Sequence, residues 1–459
     1  MAGRDARRLT VLRDWIGRAA REIDADLSVR LWNGETLPLG ANVSGPVVLA
    51  VNGPDVVRRL LRRPSLLTLA ELYAEGRIDV EGGSPLDAAR AVDHVAVRRF
   101  AARQPRLRML RSLLPFIGGG NGDGPVAGGT RFEGKVEARV ERGRRDKELI
   151  AHHYDVSNAF YALFLDPQMV YTNGHFAGAD TPLAEAALAK LDQCCRKLRL
   201  APGTRLLDIG CGWGGFACHA ARHYGARVHG VTLSDEQLEY ARAKVEREGL
   251  ADLVTLELRD YRDIEPAGQY DAVCQLGMFE HVGMDNHDAF FARVHGLLRP
   301  QGLYLHEAIT RPATGDLAKF RRRTVYQRFI DRYIFPGGEL DHVGRTLTNM
   351  ERHRLEVVDV EALRDHYRLS LEHWSANLYR NREAAAREAG EPLTRIWLLY
   401  LALCTVGFAR GVSTVFQIVG ARRMARPTGL PLVRDEWRTS PPGAVATGGA
   451  GSDETLPNG

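Results

Sequence analysis

The chain has 459 residues, of which 44% are hydrophobic and 26% are charged, and its formal net charge is +5. This composition excludes a fibrous or disorder-dominated protein, and the length is too great for one ordinary hydrophobic core. We therefore expect a globular protein of two domains with additional tails.

The N-terminal region combines helical and alternating patterns. Apolar residues recur at helical spacing over 5–23, whereas residues 27–51 alternate and carry turn signals, as strands of a small sheet do. Further helical pieces are predicted within 58–74. We interpret residues 1–117 as a small α+β domain that associates with lipid or membrane.

The membrane interpretation depends on a run of arginines that no acidic residue interrupts. The run is interleaved with apolar side chains, a combination typical of contact with an anionic membrane. It equally fits a solvated helix face that covers the domain's own core. No nucleic-acid-binding motif accompanies it, so no nucleic-acid partner is expected. The arginines are Arg98, Arg99, Arg103, Arg106, Arg108 and Arg111.

Two segments have the composition of unstructured chain. Residues 118–129 are almost all glycine and small residues, and we interpret 118–147 as a flexible linker and 439–459 as a disordered tail. The six cysteines form no CxxC pair, so we expect reduced thiols and no metal site. The first residues lack a signal-peptide core, and the apolar run 396–409 is short for a bilayer span. We therefore expect a cytoplasmic protein in peripheral contact with the inner membrane face.

Residues 148–438 read as one catalytic domain in which strands and helices alternate, which predicts a doubly wound, Rossmann-like α/β sheet. Residues 309–350 break the alternation and are interpreted as a lid insertion over the crevice. The predicted strands are 204–209, 227–232, 254–257, 270–276, 302–307, 355–360 and 415–419, and the predicted helices are 183–198, 215–223, 235–248, 286–298, 369–389 and 393–410.

The sequence LLDIGCGWGG at 206–215 places a glycine turn between a buried strand and a helix. Such a turn lets a nucleotide-like cofactor approach the first N–H groups of the helix. The next strand ends in Thr232, Leu233 and Ser234 rather than in the carboxylate expected for NAD. Together with Asp208 before the first glycine, this predicts a class I methyltransferase site for S-adenosylmethionine, with NAD as the alternative.

A series of further motifs resembles the cyclopropane fatty acid synthases in the same order along the chain. The resemblance covers residues 150–420 strongly, and LAELYAEGRIDVEGG at 69–83 resembles the front domain of the longer bacterial members. The motifs are HYDVSNAFYALFLDPQMVYTNGHF at 153–176, GVTLSDEQ at 230–237, LGMFEHVG at 276–283, LYLHEA at 303–308, YIFPGGEL at 333–340 and DHYRLSLEHW at 365–374.

The resemblance implies an enzyme that transfers a methyl(ene) group from S-adenosylmethionine to the cis double bond of unsaturated acyl chains in membrane phospholipids. It further implies a bound bicarbonate ion as the base, held by Glu280, His306 and Tyr367, and a homodimer. Asn173 stands where the family has a cysteine beside the ion. For the methyl donor the matched positions are Tyr171, Thr172, Asp208, Gly210, Gly212, Thr232, Leu233, Gln237, Tyr261 and Arg262.

Three other functions remain open at this point. Asn173 and His175 motivate an enzyme with the same first step but a 10-methylene or methyl-branched product. A lipid-binding protein with an inactive methyl-donor fold is the second, and a methyltransferase for a soluble metabolite is the third. The intact glycine turn argues against the second, and the basic front domain argues against the third.

Overall fold

The computed structural model describes residues 2–103, 114–116 and 156–437. The predicted linker at 118–147 and the predicted tail at 439–459 lie outside the described residues. So do the first residues of the HYDV motif and Arg106, Arg108 and Arg111 of the arginine run.

The N-terminal unit is a small α+β structure with a four-stranded sheet in the order β2-β1-β3-β4. A helix precedes the sheet and the other helices follow β3 or β4. The elements are α1 (Ala2–Ile23), β1 (Ser28–Arg30), β2 (Thr36–Pro38), β3 (Val48–Val51), α2 (Pro54–Arg62), α3 (Leu66–Ala74), β4 (Ile78–Glu81), α4 (Pro85–Arg90) and α5 (His94–Arg103), with a 3₁₀ turn at Leu114–Phe116.

The first half of the catalytic region alternates strands and helices as predicted. The elements are α6 (Asn158–Ala162), α7 (Leu183–Lys197), β5 (Arg205–Ile209), α8 (Gly215–Tyr224), β6 (Arg227–Thr232), α9 (Asp235–Arg247), β7 (Val254–Leu258), β8 (Tyr270–Leu276), α10 (His287–Leu297) and β9 (Leu298–Thr310), with 3₁₀ turns at Tyr261–Asp263, Phe279–His281 and Met284–Asn286.

The second half holds the segment predicted as an insertion and the last two strands. Its elements are α11 (Leu317–Arg321), α12 (Val325–Tyr333), α13 (Val343–Arg352), β10 (Leu355–Ala362), α14 (Arg364–Arg380), α15 (Arg382–Ala389), α16 (Glu391–Ala409) and β11 (Thr414–Arg422), with a 3₁₀ turn at Asp435–Trp437. The helix predicted over 369–389 is therefore two helices, which meet at Asn381.

The seven strands β5 to β11 form one sheet in the order β10-β11-β9-β8-β5-β6-β7. Strands β5 to β9 pair in parallel, and β11 lies antiparallel between β9 and β10. The predicted doubly wound α/β fold is confirmed. The strand order reverses beside β5, and in open α/β sheets ligands bind at the carboxyl ends of the strands at such a switch point.

Helix α16 joins the two units. Among the described residues it is the one helix long and apolar enough to cross a membrane, but 56% of the relevant stretch is buried in the fold. A core helix satisfies the same criterion. Its Ala402 and Val406 pack with Leu86 of the N-terminal unit, and Arg395 donates to the Ile78 carbonyl at 3.0 Å.

Candidate active site

The predicted glycine turn lies at the carboxyl end of β5 and leads into α8. Gly210 and Gly212 have φ values of +79° and +54°, a region that side chains with a Cβ adopt only at a cost. A Cβ on Gly210 would lie 2.9 Å from the Cβ of Met278. The chain therefore needs glycine here both for its conformation and for the close approach of the β8 loop.

Asp208 lies in the buried part of β5 and lines a cavity at the carboxyl end of this strand. Its Oδ1 lies 3.4 Å from the Cys274 thiol, and its Oδ2 is buried without a hydrogen-bond partner among the described residues. Burial raises the pKa of this carboxyl to about 6. A buried acceptor of this kind suits the positively charged amino group of S-adenosylmethionine.

Polar contacts hold the loops that follow β6 and β7. The Thr232 hydroxyl donates to Gln237 Oε1 at 3.2 Å, at the point where β6 leads into α9. After β7, Asp260 accepts from the Arg262 backbone N–H at 2.9 Å and also binds its guanidinium. Tyr261 packs edge-on against Phe290 at 5.3 Å.

All ten residues predicted for the methyl donor line a single cavity at the carboxyl ends of the strands. Four separate chain segments contribute them, so the tertiary structure brings together what the motifs indicated one by one. They are Tyr171, Thr172, Asp208, Gly210, Gly212, Thr232, Leu233, Gln237, Tyr261 and Arg262.

The same cavity continues into an aromatic and apolar section. Tyr367 of α14 stacks on Phe408 of α16 with ring centroids 4.4 Å apart, and both line the cavity with Ile309 and Tyr400. Gln327, Ile330, Phe335, Gly338 and Leu340 of the segment predicted as a lid also line it. This segment therefore forms part of the wall.

Glu280 lies in the 3₁₀ turn after β8 and is held by two neighbours. Its Oε1 accepts from the Ile309 N–H at 2.6 Å, and its carbonyl accepts from the Glu339 N–H at 2.9 Å. Its Oε2 is buried without a hydrogen-bond partner among the described residues. Burial raises the pKa of the carboxyl to about 7, and the nearby charge of Glu307 acts in the same direction.

Two of the four residues predicted for catalysis are not brought to the cavity. His306 on β9 points to the opposite face, where its Nδ1 lies 2.9 Å from the Tyr304 hydroxyl and 3.0 Å from Gln275 Nε2. Burial lowers its pKa to about 3, so it is neutral. Asn173 is fully buried outside the lining, because its Nδ2 turns back to the Gly174 carbonyl at 3.0 Å.

Glu307 lines the cavity in place of His306, since successive residues of a strand face opposite sides. Its Oε1 lies 3.2 Å from Lys190 Nζ, and its Oε2 accepts from Gln417 Nε2 at 2.9 Å. Both side chains of the ion pair are 1% exposed. Lys190 also donates to the Thr172 hydroxyl at 2.7 Å. This contact connects the pair to the donor crevice, the part of the cavity lined by the ten residues predicted for the methyl donor.

Sequence reasoning missed Lys190, Glu307 and Trp213 as lining residues. A signal for Lys190 was present, because it lies at helical spacing with Ala186, Ala187 and Cys194 on the buried face of α7. Glu307 directly follows His306 in the LYLHEA motif, but only the strand register shows which of these two adjacent polar residues faces the cavity. Trp213 lies within the glycine turn itself, between Gly212 and Gly214, so its place in the motif was a signal.

The lining does not fit a bicarbonate ion. Glu280 and Glu307 place two carboxyl groups in the cavity lining, and His306, which was predicted to hold the ion, faces away from the cavity. The cationic side chains of the lining are each paired with a carboxylate: Lys190 with Glu307, Arg259 with Glu257 and Arg262 with Asp260. These pairs leave the listed cations already neutralised, and Glu280 repels an anion whenever its carboxyl group is ionised.

The described residues contain no group of three or more His, Cys, Asp and Glu side chains arranged to hold a metal ion. All six cysteines are free. The sheet order and the crevice together define a class I S-adenosylmethionine-dependent methyltransferase.

The family to which the chain belongs is described as mycolic acid cyclopropane synthetase, and it matches residues 141–418. The predicted family is thus confirmed. Over 407 residues the chain is 38% identical to a probable fatty acid methyltransferase of Pseudomonas putida, covering 89% of this chain and 94% of that protein. It is 32% identical over 389 residues to cyclopropane-fatty-acyl-phospholipid synthase of Escherichia coli, covering 84% and 90%.

A solved structure shares the catalytic fold. Mycolic acid cyclopropane synthase CmaA1, complexed with SAH and CTAB, is 31% identical and superimposes with a TM-score of 0.56. The match covers 60% of this chain and 98% of that one. The chain is a methyltransferase that uses S-adenosylmethionine.

Proposed function

We propose that the enzyme transfers a methyl(ene) group to the cis double bond of an unsaturated acyl chain in a membrane phospholipid and closes a cyclopropane ring. One observation carries the proposal: the donor crevice continues into an aromatic section walled by Tyr367, Phe408 and Tyr400. An alkene offers nothing to hydrogen-bond, so its selection depends on shape and on placement beside the donor.

The chain's own residues have three tasks in this reaction. The glycine turn at Gly210 and Gly212 lets the donor approach the backbone, and the donor, when bound, supplies an electrophilic methyl group on sulfur. The aromatic wall holds the acyl chain. Helix α12 and the turn at Phe335 cover the cavity and exclude water from a cationic reaction centre.

A basic and apolar surface on α11 and α12 supports a membrane-bound substrate. Leu317, Val325 and Tyr326 are exposed large hydrophobic residues on this surface. Six exposed cationic side chains accompany them, and α12 reaches the cavity through Gln327 and Ile330. A surface that combines cationic and exposed apolar side chains suits the inner, anionic face of a membrane. The cations are Lys319, Arg321, Arg322, Arg323, Arg328 and Arg332.

Vesicle flotation tests the membrane contact. The double variant Val325→Asp/Tyr326→Asp should lower binding to anionic phosphatidylglycerol vesicles at least about five-fold, because it removes apolar area and adds negative charge. Val360→Asp changes an exposed valine on β10 and serves as the matched control. Equal binding of the two variants would contradict the proposed surface.

A second candidate keeps the first step but yields a 10-methylene or methyl-branched chain. The Pseudomonas putida relative, named as a probable fatty acid methyltransferase, favours it. Asn173 and His175 do not line the cavity, so these two residues do not support the alternative product.

Product analysis separates the two candidates. The enzyme would be incubated with labelled S-adenosylmethionine and vesicles of a cis-monounsaturated phospholipid, and the released acyl chains examined by mass spectrometry. A ring and a methylene group have equal mass, but mild hydrogenation adds two hydrogens only to the methylene product. No labelled lipid at all would exclude both candidates.

A further inference from the structure

Two cavity-lining carboxyl groups, Glu280 and Glu307, interact electrostatically but lie in different surroundings. Both oxygens of Glu307 are engaged, one by Lys190 at 3.2 Å and one by Gln417 at 2.9 Å. Glu280 has one oxygen held by the Ile309 N–H at 2.6 Å, while its Oε2 is buried and unpartnered among the described residues. Of these two groups, only Glu280 has an oxygen with neither an ion-pair nor a hydrogen-bond partner among the described residues.

Building on the proposed function, we propose that the Glu280 carboxylate itself, rather than a bound anion, accepts the proton released when the methylated acyl cation forms its product. This group is positioned for the task because the Ile309 N–H fixes one oxygen and the lid residue Glu339 binds its backbone carbonyl. Glu307 stays in its ion pair with Lys190.

The step balances without another reagent. The alkene π electrons form a bond to the methyl carbon, the sulfur–carbon bond breaks, and the neighbouring acyl carbon becomes a cation. A C–H bond of the new methyl group then breaks. Its electron pair closes the ring, and its proton forms an O–H bond with Glu280 Oε2. The acid returns the proton to solvent after the product leaves.

The environment of Glu280 matches this role. A general base works best when its pKa lies near the operating pH, and burial raises the pKa of Glu280 to about 7. The base must be ionised, so kcat/KM should rise with pH through about 7 and level off above it. The buried Lys190–Glu307 ion pair is neutral as a whole, so the ionised Glu280 carboxylate itself supplies the charge that stabilises the acyl cation.

The first test compares bicarbonate dependence. The full-length enzyme would be assayed with unsaturated phospholipid vesicles in buffer freed of carbon dioxide and again with added sodium bicarbonate. We expect rates that agree within about two-fold. Calorimetric titration of sodium bicarbonate into the enzyme with S-adenosylhomocysteine should show no binding. A rate that collapses without bicarbonate and returns on its addition would overturn the proposal.

The second test removes the base. Glu280→Gln should lower kcat by at least about 100-fold, because a general base typically accelerates a reaction by at least this factor. The affinity for S-adenosylmethionine should be retained. Glu280→Asp keeps a carboxylate and should retain a pH-dependent rate even if Glu280→Gln folds poorly. A Glu280→Gln rate within ten-fold of the original enzyme would also refute the role.

These outcomes are distinct from failure of the proposed function. If the unaltered enzyme binds S-adenosylmethionine yet labels no unsaturated lipid, the proposed function fails and the base assignment fails with it. If lipid is labelled but the rate requires bicarbonate, the function stands and only the base assignment is lost.

Discussion

The buried carboxyl of Glu280 makes the stability of the fold depend on pH. Its pKa is raised from 4.5 to about 7, so the folded state binds its proton more tightly than the unfolded state does. The resulting stabilisation is complete below pH 4.5 and is lost as the pH rises through 7. Neutral glutamine avoids that loss.

We therefore expect Glu280→Gln to raise the free energy of unfolding at pH 8 relative to the original protein, by up to about 3 kcal/mol, and to have less effect at pH 5. Urea denaturation at both pH values measures this. The exposed Glu246→Gln on α9 is the control and should show no such pH difference. An equal gain in unfolding free energy at both pH values would contradict a raised pKa for Glu280.

The Lys190–Glu307 pair provides a second prediction at this scale. Lys190→Met leaves the 1% exposed Glu307 without its cation and should cost about 3–5 kcal/mol of unfolding free energy. The double variant Lys190→Met/Glu307→Met removes both buried charges and should recover most of that loss. Urea denaturation of the two variants measures the coupling.

The exposed pair Arg222–Glu248 is a suitable reference, since its arginine is 46% exposed. Breaking it should cost less than about 1 kcal/mol. If the double variant at 190 and 307 were no more stable than Lys190→Met alone, an unpaired buried charge would not be the cause of the loss.

At the scale of elements, the turn between β5 and α8 controls access to the donor. Gly210→Ala should raise the Kd for S-adenosylmethionine at least about ten-fold, because alanine is strained at φ +79° and its Cβ would press on Met278. Calorimetric titration gives the Kd. Gly249→Ala is the control, since Gly249 has φ +67° with no atom within 4 Å and does not line the cavity. Equal Kd values for the two variants would show that the turn does not govern binding.

The strand β9 shows the limit of reading elements from sequence. Its position was predicted from its apolar run, although it extends further in both directions, to Leu298–Thr310. Which face each residue takes was not predictable, since a shift of one position exchanges the two faces. His306 and Glu307 are adjacent polar residues of β9. Gln275 of β8 pairs with His306, and in this register Glu307 faces the cavity.

At the scale of the whole molecule, Arg395 of α16 ties the catalytic region to the N-terminal unit. Its guanidinium donates to the Ile78 carbonyl at 3.0 Å, binds Asp79 at 2.9 Å and lies 4.2 Å from the centre of the Tyr73 ring. The side chain is 12% exposed, so these contacts are partly shielded from water. The two units are therefore held together by polar contacts as well as by the apolar cluster at Leu86.

We expect Arg395→Met to speed amide hydrogen exchange in β3 and β4 by about ten-fold or more, because buried carbonyl groups lose a donor. Mass-spectrometric exchange measurements test this. Exchange in β5 should stay unchanged, and the exposed Arg387→Met on α15 should leave both regions as they are. Equal protection of β4 in the two variants would mean that Arg395 does not hold the units together.

The sequence by itself determined the family, the doubly wound sheet, the glycine turn and the ten residues that line the donor crevice, because each rests on a local motif or a regular period. Tertiary structure alone decided that Glu307 rather than His306 faces the cavity, that Lys190 meets Glu307 across 117 positions of chain, and that Asn173 turns away. The physical reason is that side-chain facing follows from strand register and packing between distant segments, and neither leaves a local pattern.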